Sequence, residues 1–197
     1  MIGGRGAGPD VTEPVTEDPR PEGLRPARSL VLVNTGDGKG KSTAAFGVVM
    51  RAVARGWRVC VIQFIKSDKW KVGEEAVGRQ LGVEWLKGGD GFTWESPDLD
   101  QSRGRAVAAW ALAADAISRG DYQLVVLDEI TYPITYGWLD IDEVIAAIRE
   151  RPETVNIVAT GRNAPAPLID IADTVTEMTK VKHAYDRGIR ARRGIDF

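Results

Sequence analysis

The sequence predicts an α/β domain whose mostly parallel sheet carries helices on both faces. Three observations predict it. Short apolar runs recur along the chain, separated by stretches with helical periodicity. A Gly-rich loop, Thr35-Gly36-Asp37-Gly38-Lys39-Gly40-Lys41-Ser42-Thr43, stands directly behind the first run. A carboxylate pair, Asp128-Glu129, closes another. Near-continuous apolar strands alternating with helices belong to parallel sheets buried on both sides.

Each element has its own signal. Residues 1–28 are rich in Gly, Pro, Glu, Asp and Arg and nearly lack large apolar side chains. Such a segment cannot bury enough surface to offset its ordering entropy, so 1–28 is expected to be a disordered arm and 29–197 the domain. Leu30–Val33 is the first strand. The helix after the Gly-rich loop runs from about Lys41 to Arg55, and Gly56 ends it. Val59–Ile65 is a second β-rich run; Glu74–Leu81 reads as a helix and Val83–Leu86 as a short strand. Residues 87–98 form a Gly-rich loop holding Phe92 and Trp94. Ala106, Val107, Trp110, Ala113, Ala114 and Ile117 repeat at helical spacing across 101–118. Leu124–Leu127 is a buried strand. Asp140 and Glu143 sit at capping-box spacing before Val144-Ile145 and Ile148. Val155–Ala159 and Thr174–Met178 are the last strands expected.

Composition narrows the function classes. A chain of 197 residues is long enough to bury a real core. Its formal net charge of −2 gives no bulk electrostatic case for nucleic acid. The single cysteine, Cys60, excludes an internal disulfide and fits a reducing compartment. No apolar run approaches ~18 residues and the N-terminus has no apolar signal core, so no membrane span is expected and the location expected is cytoplasmic.

The Gly-rich loop has the context of a phosphate loop: strand before it, helix after it. Glycines let successive backbone N–H groups face one hollow, and the helix adds the positive end of its dipole. Gly36, Asp37, Gly38, Lys39, Gly40, Lys41, Ser42 and Thr43 are therefore the candidate nucleotide-binding residues. Lys41 would reach phosphate oxygens and the Ser42 hydroxyl would ligate Mg²⁺, with Mn²⁺ as a stand-in. The usual G-x-x-x-x-G-K-[ST] spacing is altered: Thr35 occupies the first position and the glycine comes one later, at Gly36. The expected fold is accordingly P-loop NTPase-like, of the RecA-like kind. Asp128 and Glu129, at a strand's carboxyl end, are candidate ligands to the same cation. Arg162, in Thr160-Gly161-Arg162 behind another apolar strand, would clamp phosphate or ribose oxygens, or else be a surface arginine. Phe92 and Trp94 would either pack on the domain's own core or cover a large flat ligand. His183 is the only histidine, and Arg187, Arg190, Arg192 and Arg193 form a late basic cluster; both also read as ordinary surface.

Several motifs together resemble the ATP:corrinoid adenosyltransferases of the CobA/CobO/BtuR type. The segment 35–45, with its Thr and displaced Gly, is similar to that family's phosphate loop. So are Val61-Ile-Gln-Phe-Ile-Lys66 with Gly73-Glu74, Gly91-Phe92-Thr-Trp94, Val125-Val-Leu-Asp-Glu129 with Thr131-Tyr132, Thr160-Gly-Arg162, Ala172-Asp173-Thr, Val181-Lys-His-Ala184 and Gly194-Ile-Asp-Phe197. The resemblance covers about 30–197 and leaves out the arm. It implies transfer of the 5′-deoxyadenosyl group of ATP to the Co(I) of a reduced corrinoid, with triphosphate leaving. It also implies a homodimer and an electron-donating flavoprotein partner. Under it, Gly36 to Thr43 hold the triphosphate in the reverse sense to ordinary P-loop NTPases. Ser42 and Glu129 match the Mg²⁺ positions, and Asp128 stands behind them. Phe92 and Trp94 match the aromatics against the corrinoid, and with Lys41 they are the residues expected to carry the reaction. The competing readings are a P-loop ATPase or kinase of another kind, and a non-catalytic nucleotide- or corrinoid-binding module.

Overall fold

A computed structural model describes residues 16–18, 20–65, 73–88 and 99–196. In chain order the elements are β1 (Val31–Thr35), α1 (Lys41–Ala54), β2 (Val59–Gln63), α2 (Gly73–Gln80), β3 (Glu84–Lys87), α3 (Leu99–Arg119), β4 (Leu124–Asp128), α4 (Thr131–Thr135), α5 (Ile141–Arg149), β5 (Asn156–Thr160), α6 (Ala166–Asp170) and β6 (Thr174–Glu177), with a 3₁₀ turn at Tyr185–Arg187. Among the described residues the strands form one sheet in the order β3-β2-β4-β5-β1-β6. Every pairing in it is parallel.

Alternation along the strands sends side chains to two cores. Val31, Val33, Cys60, Ile62, Val125, Leu127, Ile157 and Ala159 face α3, α5 and α6. Val59, Val61, Leu124, Val126 and Val158 face Ala45, Phe46, Val49 and Ala52 of α1. Helices therefore cover both faces, as the apolar runs require. Cys60 lies fully inside, where burial and then the neighbouring Glu84 push its thiol up to about 12. It packs as a small apolar residue.

Local chemistry sets the helix ends. Gly56, at φ 74°, terminates α1. Its N–H reaches Val53 O, and Trp57 N–H reaches Ala52 O, the paired bonds of a Schellman end. Asp140 caps α5, but its side chain accepts from the Asp142 N–H at 2.8 Å, one residue short of the capping-box pattern. β6 is an edge strand with every residue exposed. The short helices α4 and α6 carry no sequence signal used above. Phe92 and Trp94 lie outside the described residues, as does Lys66. Among the described residues, no helix is long and apolar enough to cross a membrane.

Candidate nucleotide and metal site

The carboxyl ends of β1, β4, β5 and β2 bring the polar residues of the sheet together. Strands continue past their apolar runs there: β1 ends in Asn34-Thr35, β2 in Gln63, β4 in Asp128 and β5 in Thr160. All five of these side chains are buried.

The loop from Gly36 to Gly40 lies against the chain leaving β6. Gly38 N–H donates to Met178 O at 2.6 Å, and Met178 N–H donates to Thr35 O at 2.8 Å. A Cβ on Gly36 would stand 2.5 Å from Met178 O, and one on Gly38 would stand 2.7 Å from it. Only glycine permits that approach, which is the physical reason for the loop's composition. Gly40, at φ 114°, turns the chain into α1.

Lys41 opens α1 and folds back over the loop. Its Nζ donates to Gly36 O at 2.7 Å and to Gly38 O at 2.6 Å. The ammonium thus sits inside the turn it would share with phosphate oxygens. Burial, and then the positive Arg162, hold its pKa below the ordinary lysine value, while Glu129 and Asp37 act in the opposite sense. Arg162 stands 4.0 Å from Asp37. Lys39 is ion-paired with Asp196, whose carboxyl is held low by the Arg192 N–H and then by Lys39.

Behind the loop is a buried polar network centred on Asp128. Its Oδ1 accepts from Ser42 Oγ at 2.7 Å and from Thr160 Oγ1 at 2.8 Å. Its Oδ2 accepts from Gln63 Nε2 at 2.9 Å. Thr160 Oγ1 in turn accepts the Glu129 N–H at 2.9 Å. Donors converging on both oxygens are the environment of an ionised carboxylate. Asp128 is itself fully buried, so Ser42 stands between it and the loop. Glu129 follows with φ 64°, a backbone strain that turns the chain out of β4. Beside it, burial and then Glu129 raise the Tyr132 hydroxyl above its usual pKa.

This donor set suits a hard cation. The Ser42 proton points to Asp128, which leaves the Oγ lone pairs for a metal, and Glu129, whose charge acts on Lys41, adds a carboxylate at the same strand end. Among the described residues no cluster of three or more His, Cys, Asp or Glu stands ready as a cage. A magnesium ion bound mainly through phosphates and water needs none.

The structure therefore brings together Gly36–Thr43, Asp128, Glu129 and Arg162. His183 lines a cleft of about 460 Å³ together with Gly38 and Lys39 of the loop and with Lys180, Lys182 and Asp196. Its Nδ1 accepts the Tyr185 N–H at 3.0 Å. Arg187, Arg190, Arg192 and Arg193 are exposed. Local sequence does not single out Gln63, Trp85 or the Thr160 hydroxyl for this network. A polar residue inside the apolar run 59–65 is the available signal for Gln63.

Comparison with known proteins carries the site further. A family model described as "ATP:corrinoid adenosyltransferase BtuR/CobO/CobP" matches residues 27–197. A corrinoid adenosyltransferase of Pseudomonas aeruginosa is 45% identical over 175 residues, covering 88% of this chain and 86% of that protein. The corrinoid adenosyltransferase CobA of Salmonella typhimurium is 41% identical over 86% of each chain. A corrinoid adenosyltransferase of Escherichia coli is 39% identical over the same shares. With a phosphate loop on β1, a buried carboxylate behind its serine and a family match spanning the whole domain, this chain belongs to the ATP:corrinoid adenosyltransferases.

Proposed function

We propose that this chain transfers the 5′-deoxyadenosyl group of ATP to the Co(I) of a reduced corrinoid, with Mg²⁺ held between Ser42 and Glu129. The observation that carries the reading is the Ser42–Asp128 bond at 2.7 Å directly under the phosphate loop. The family match supplies the chemistry. Cobalt(I) attacks C5′, the C5′–O bond breaks, and its electron pair leaves on the triphosphate. Because Co(I) is already a strong nucleophile, the protein need not activate one.

The residues' task is alignment and charge stabilisation. Loop amides of Gly36 to Thr43 and the Lys41 ammonium face the leaving triphosphate, and Arg162 clamps its edge. A bound Mg²⁺ supplies electrostatic stabilisation of the developing triphosphate charge. Asp128 holds the Ser42 proton and keeps its lone pairs outward. Phe92 and Trp94 cover the lower corrin face and exclude the axial donor, which eases reduction of Co(II). A homodimer, a flavoprotein electron donor and a cytoplasmic location complete the reading.

Incubation with ATP, Mg²⁺ and chemically reduced cobalamin tests it. The expected result is the spectrum of a Co–C product with stoichiometric triphosphate. Release of phosphate or ADP instead would assign the chain to another P-loop chemistry. Binding of both substrates with no Co–C product would make it a binding module.

A further inference from the structure

Trp85 lies on β3, an edge strand four positions from β1 and its phosphate loop. It is 2% exposed. Its indole Nε1–H donates to Gln63 Oε1 at 2.9 Å, and Gln63 Nε2 donates to Asp128 Oδ2 at 2.9 Å. Sheet register makes the chain of contacts: Trp85 pairs with Val61 and Gln63 pairs with Asp128. We propose that Trp85 is a positioning residue for the metal–phosphate site, acting through Gln63 and Asp128 on the Ser42 hydroxyl. The inference rests on the reading of Ser42 as a cation ligand.

Anchorage is what Trp85 contributes. An indole is a donor only, so the Gln63 amide must turn its oxygen to Trp85 and its NH₂ to Asp128. An ionised carboxylate accepts only, so Asp128 takes that NH₂ and the hydroxyl protons of Ser42 and Thr160. With its proton committed inward, Ser42 presents lone pairs to the loop. Asp128 sets the direction of this chain, and the indole N–H holds the Gln63 oxygen so that the amide stays in register with the carboxylate. Remove the indole N–H and Gln63 Oε1 becomes a buried acceptor without that partner; the amide is then held at one end only, and its bond to Asp128 loosens.

Packing alone does not call for a tryptophan. The ring stands 5.2 Å from Phe46, and Gly78 leaves room for it: a Cβ there would meet the ring at 2.8 Å. Phenylalanine would fill most of that space. The nitrogen, not the ring, is aimed at Gln63.

The test compares ATP affinity with Mg²⁺ and with EDTA, by titration calorimetry, in the parent chain and in Trp85→Phe. The parent is expected to bind ATP more tightly with Mg²⁺. Trp85→Phe is expected to lose about fivefold of that advantage, the worth of one hydrogen bond, with metal-free ATP affinity unchanged. An unchanged Mg²⁺ advantage in a folded Trp85→Phe variant overturns the inference and leaves Trp85 a packing residue. Equal weakening with and without metal also overturns it. A parent with no Mg²⁺ advantage overturns the metal reading itself.

Gln63→Met guards against a Trp85→Phe variant that fails to fold. It keeps the side chain's length but removes the amide between Trp85 and Asp128, so the Mg²⁺ advantage should again fall about fivefold with metal-free ATP affinity unchanged. An unchanged Mg²⁺ advantage in a folded Gln63→Met variant would overturn the positioning role.

Discussion

The Ser42 hydroxyl donates its proton to a fully buried Asp128 carboxylate across 2.7 Å, behind the phosphate loop rather than within it. Asp128 is thereby a residue that orients a ligand, with both of its oxygens engaged by Ser42, Thr160 and Gln63. Asp128→Asn keeps the shape and reverses half of the chemistry. One of its groups becomes a donor facing either the two hydroxyls or the Gln63 amide. Facing Gln63 it sets two donors together, and facing the hydroxyls it turns their protons away and forfeits charge-assisted bonds; either costs about 1–3 kcal/mol. Urea unfolding should show a loss of that order, and adenosyl transfer should fall with it. Unchanged stability would mean that the network does not hold in solution.

Lys41→Ala should weaken ATP binding by roughly ten- to a hundredfold, the equivalent of about 1.5–3 kcal/mol for a charge-assisted contact. The ammonium now bonded to Gly36 O and Gly38 O is the cation best placed to meet phosphate oxygens. Its loss also leaves those carbonyls without their donor, so the loop itself should loosen. Titration calorimetry and the ATP dependence of transfer measure both. Near-normal rates at low ATP would contradict the phosphate-binding role.

The same lysine gives a proton signature. Burial, then Arg162, hold its pKa below the ordinary lysine value in the free protein. A polyanion alongside favours the charged form and raises that pKa. The bound pKa therefore exceeds the free one. Affinity is full at pH below the free value and falls as pH rises through the window between the two. In alkaline buffer, ATP binding should take up protons, seen as a dependence of calorimetric heat on buffer ionisation enthalpy. Lys41→Ala should abolish the uptake. A parent chain that takes up no proton there would remove Lys41 from phosphate contact.

How much of this was legible in the sequence follows hydropathy. β1, β2, β4 and β5 announce themselves because their central residues are apolar on both faces. β1, β4 and β5 then continue into buried polar residues, Asn34-Thr35, Asp128 and Thr160, where hydropathy reads the strand as finished, whereas Gln63 ends β2 inside the apolar run 59–65. Those residues gather at the edge of the sheet that carries the candidate site. The phosphate loop and Asp128-Glu129 could be read locally, because their chemistry is contiguous. The Trp85–Gln63–Asp128 chain could not, because it depends on the pairing of β2 with β3 and β4. Nor could α4, which holds Pro133 and β-branched Thr131, Ile134 and Thr135, residues of low helix propensity fixed by tertiary packing.

Trp94, in the segment outside the described residues, separates the corrinoid reading from other P-loop chemistry. If it covers the lower corrin face, Trp94→Ala should mainly impair reaction from Co(II) corrinoid with a mild reductant. Chemically supplied Co(I) should restore most of the rate, since the nucleophile then exists already. ATP affinity should hardly move. A core role predicts a different pattern: loss of about 3–5 kcal/mol of stability and parallel decline in both assays.

Glu129 separates backbone strain from carboxylate function. Its φ of 64° is a conformation that costs a non-glycine residue about 1–2 kcal/mol. Its N–H is committed to Thr160 Oγ1, which any residue at this position would preserve. Glu129→Gly and Glu129→Ala both remove the carboxylate, but only glycine relieves the strain. Glycine's greater chain entropy in the unfolded state offsets part of the gain, about 0.5–1 kcal/mol. The Gly variant should therefore be the more stable of the two by roughly 0.5–1 kcal/mol, read from urea midpoints. The activities should not follow the stabilities. If the carboxylate is what meets Mg²⁺, both variants should need more Mg²⁺ for half-maximal transfer, and to the same extent. Glu129→Gln, which keeps the side chain's length but not its charge, should join them. Should the Gly variant recover the parent's Mg²⁺ dependence, the strained turn rather than the carboxylate would be the functional element, and Glu129 would lose its place beside the metal.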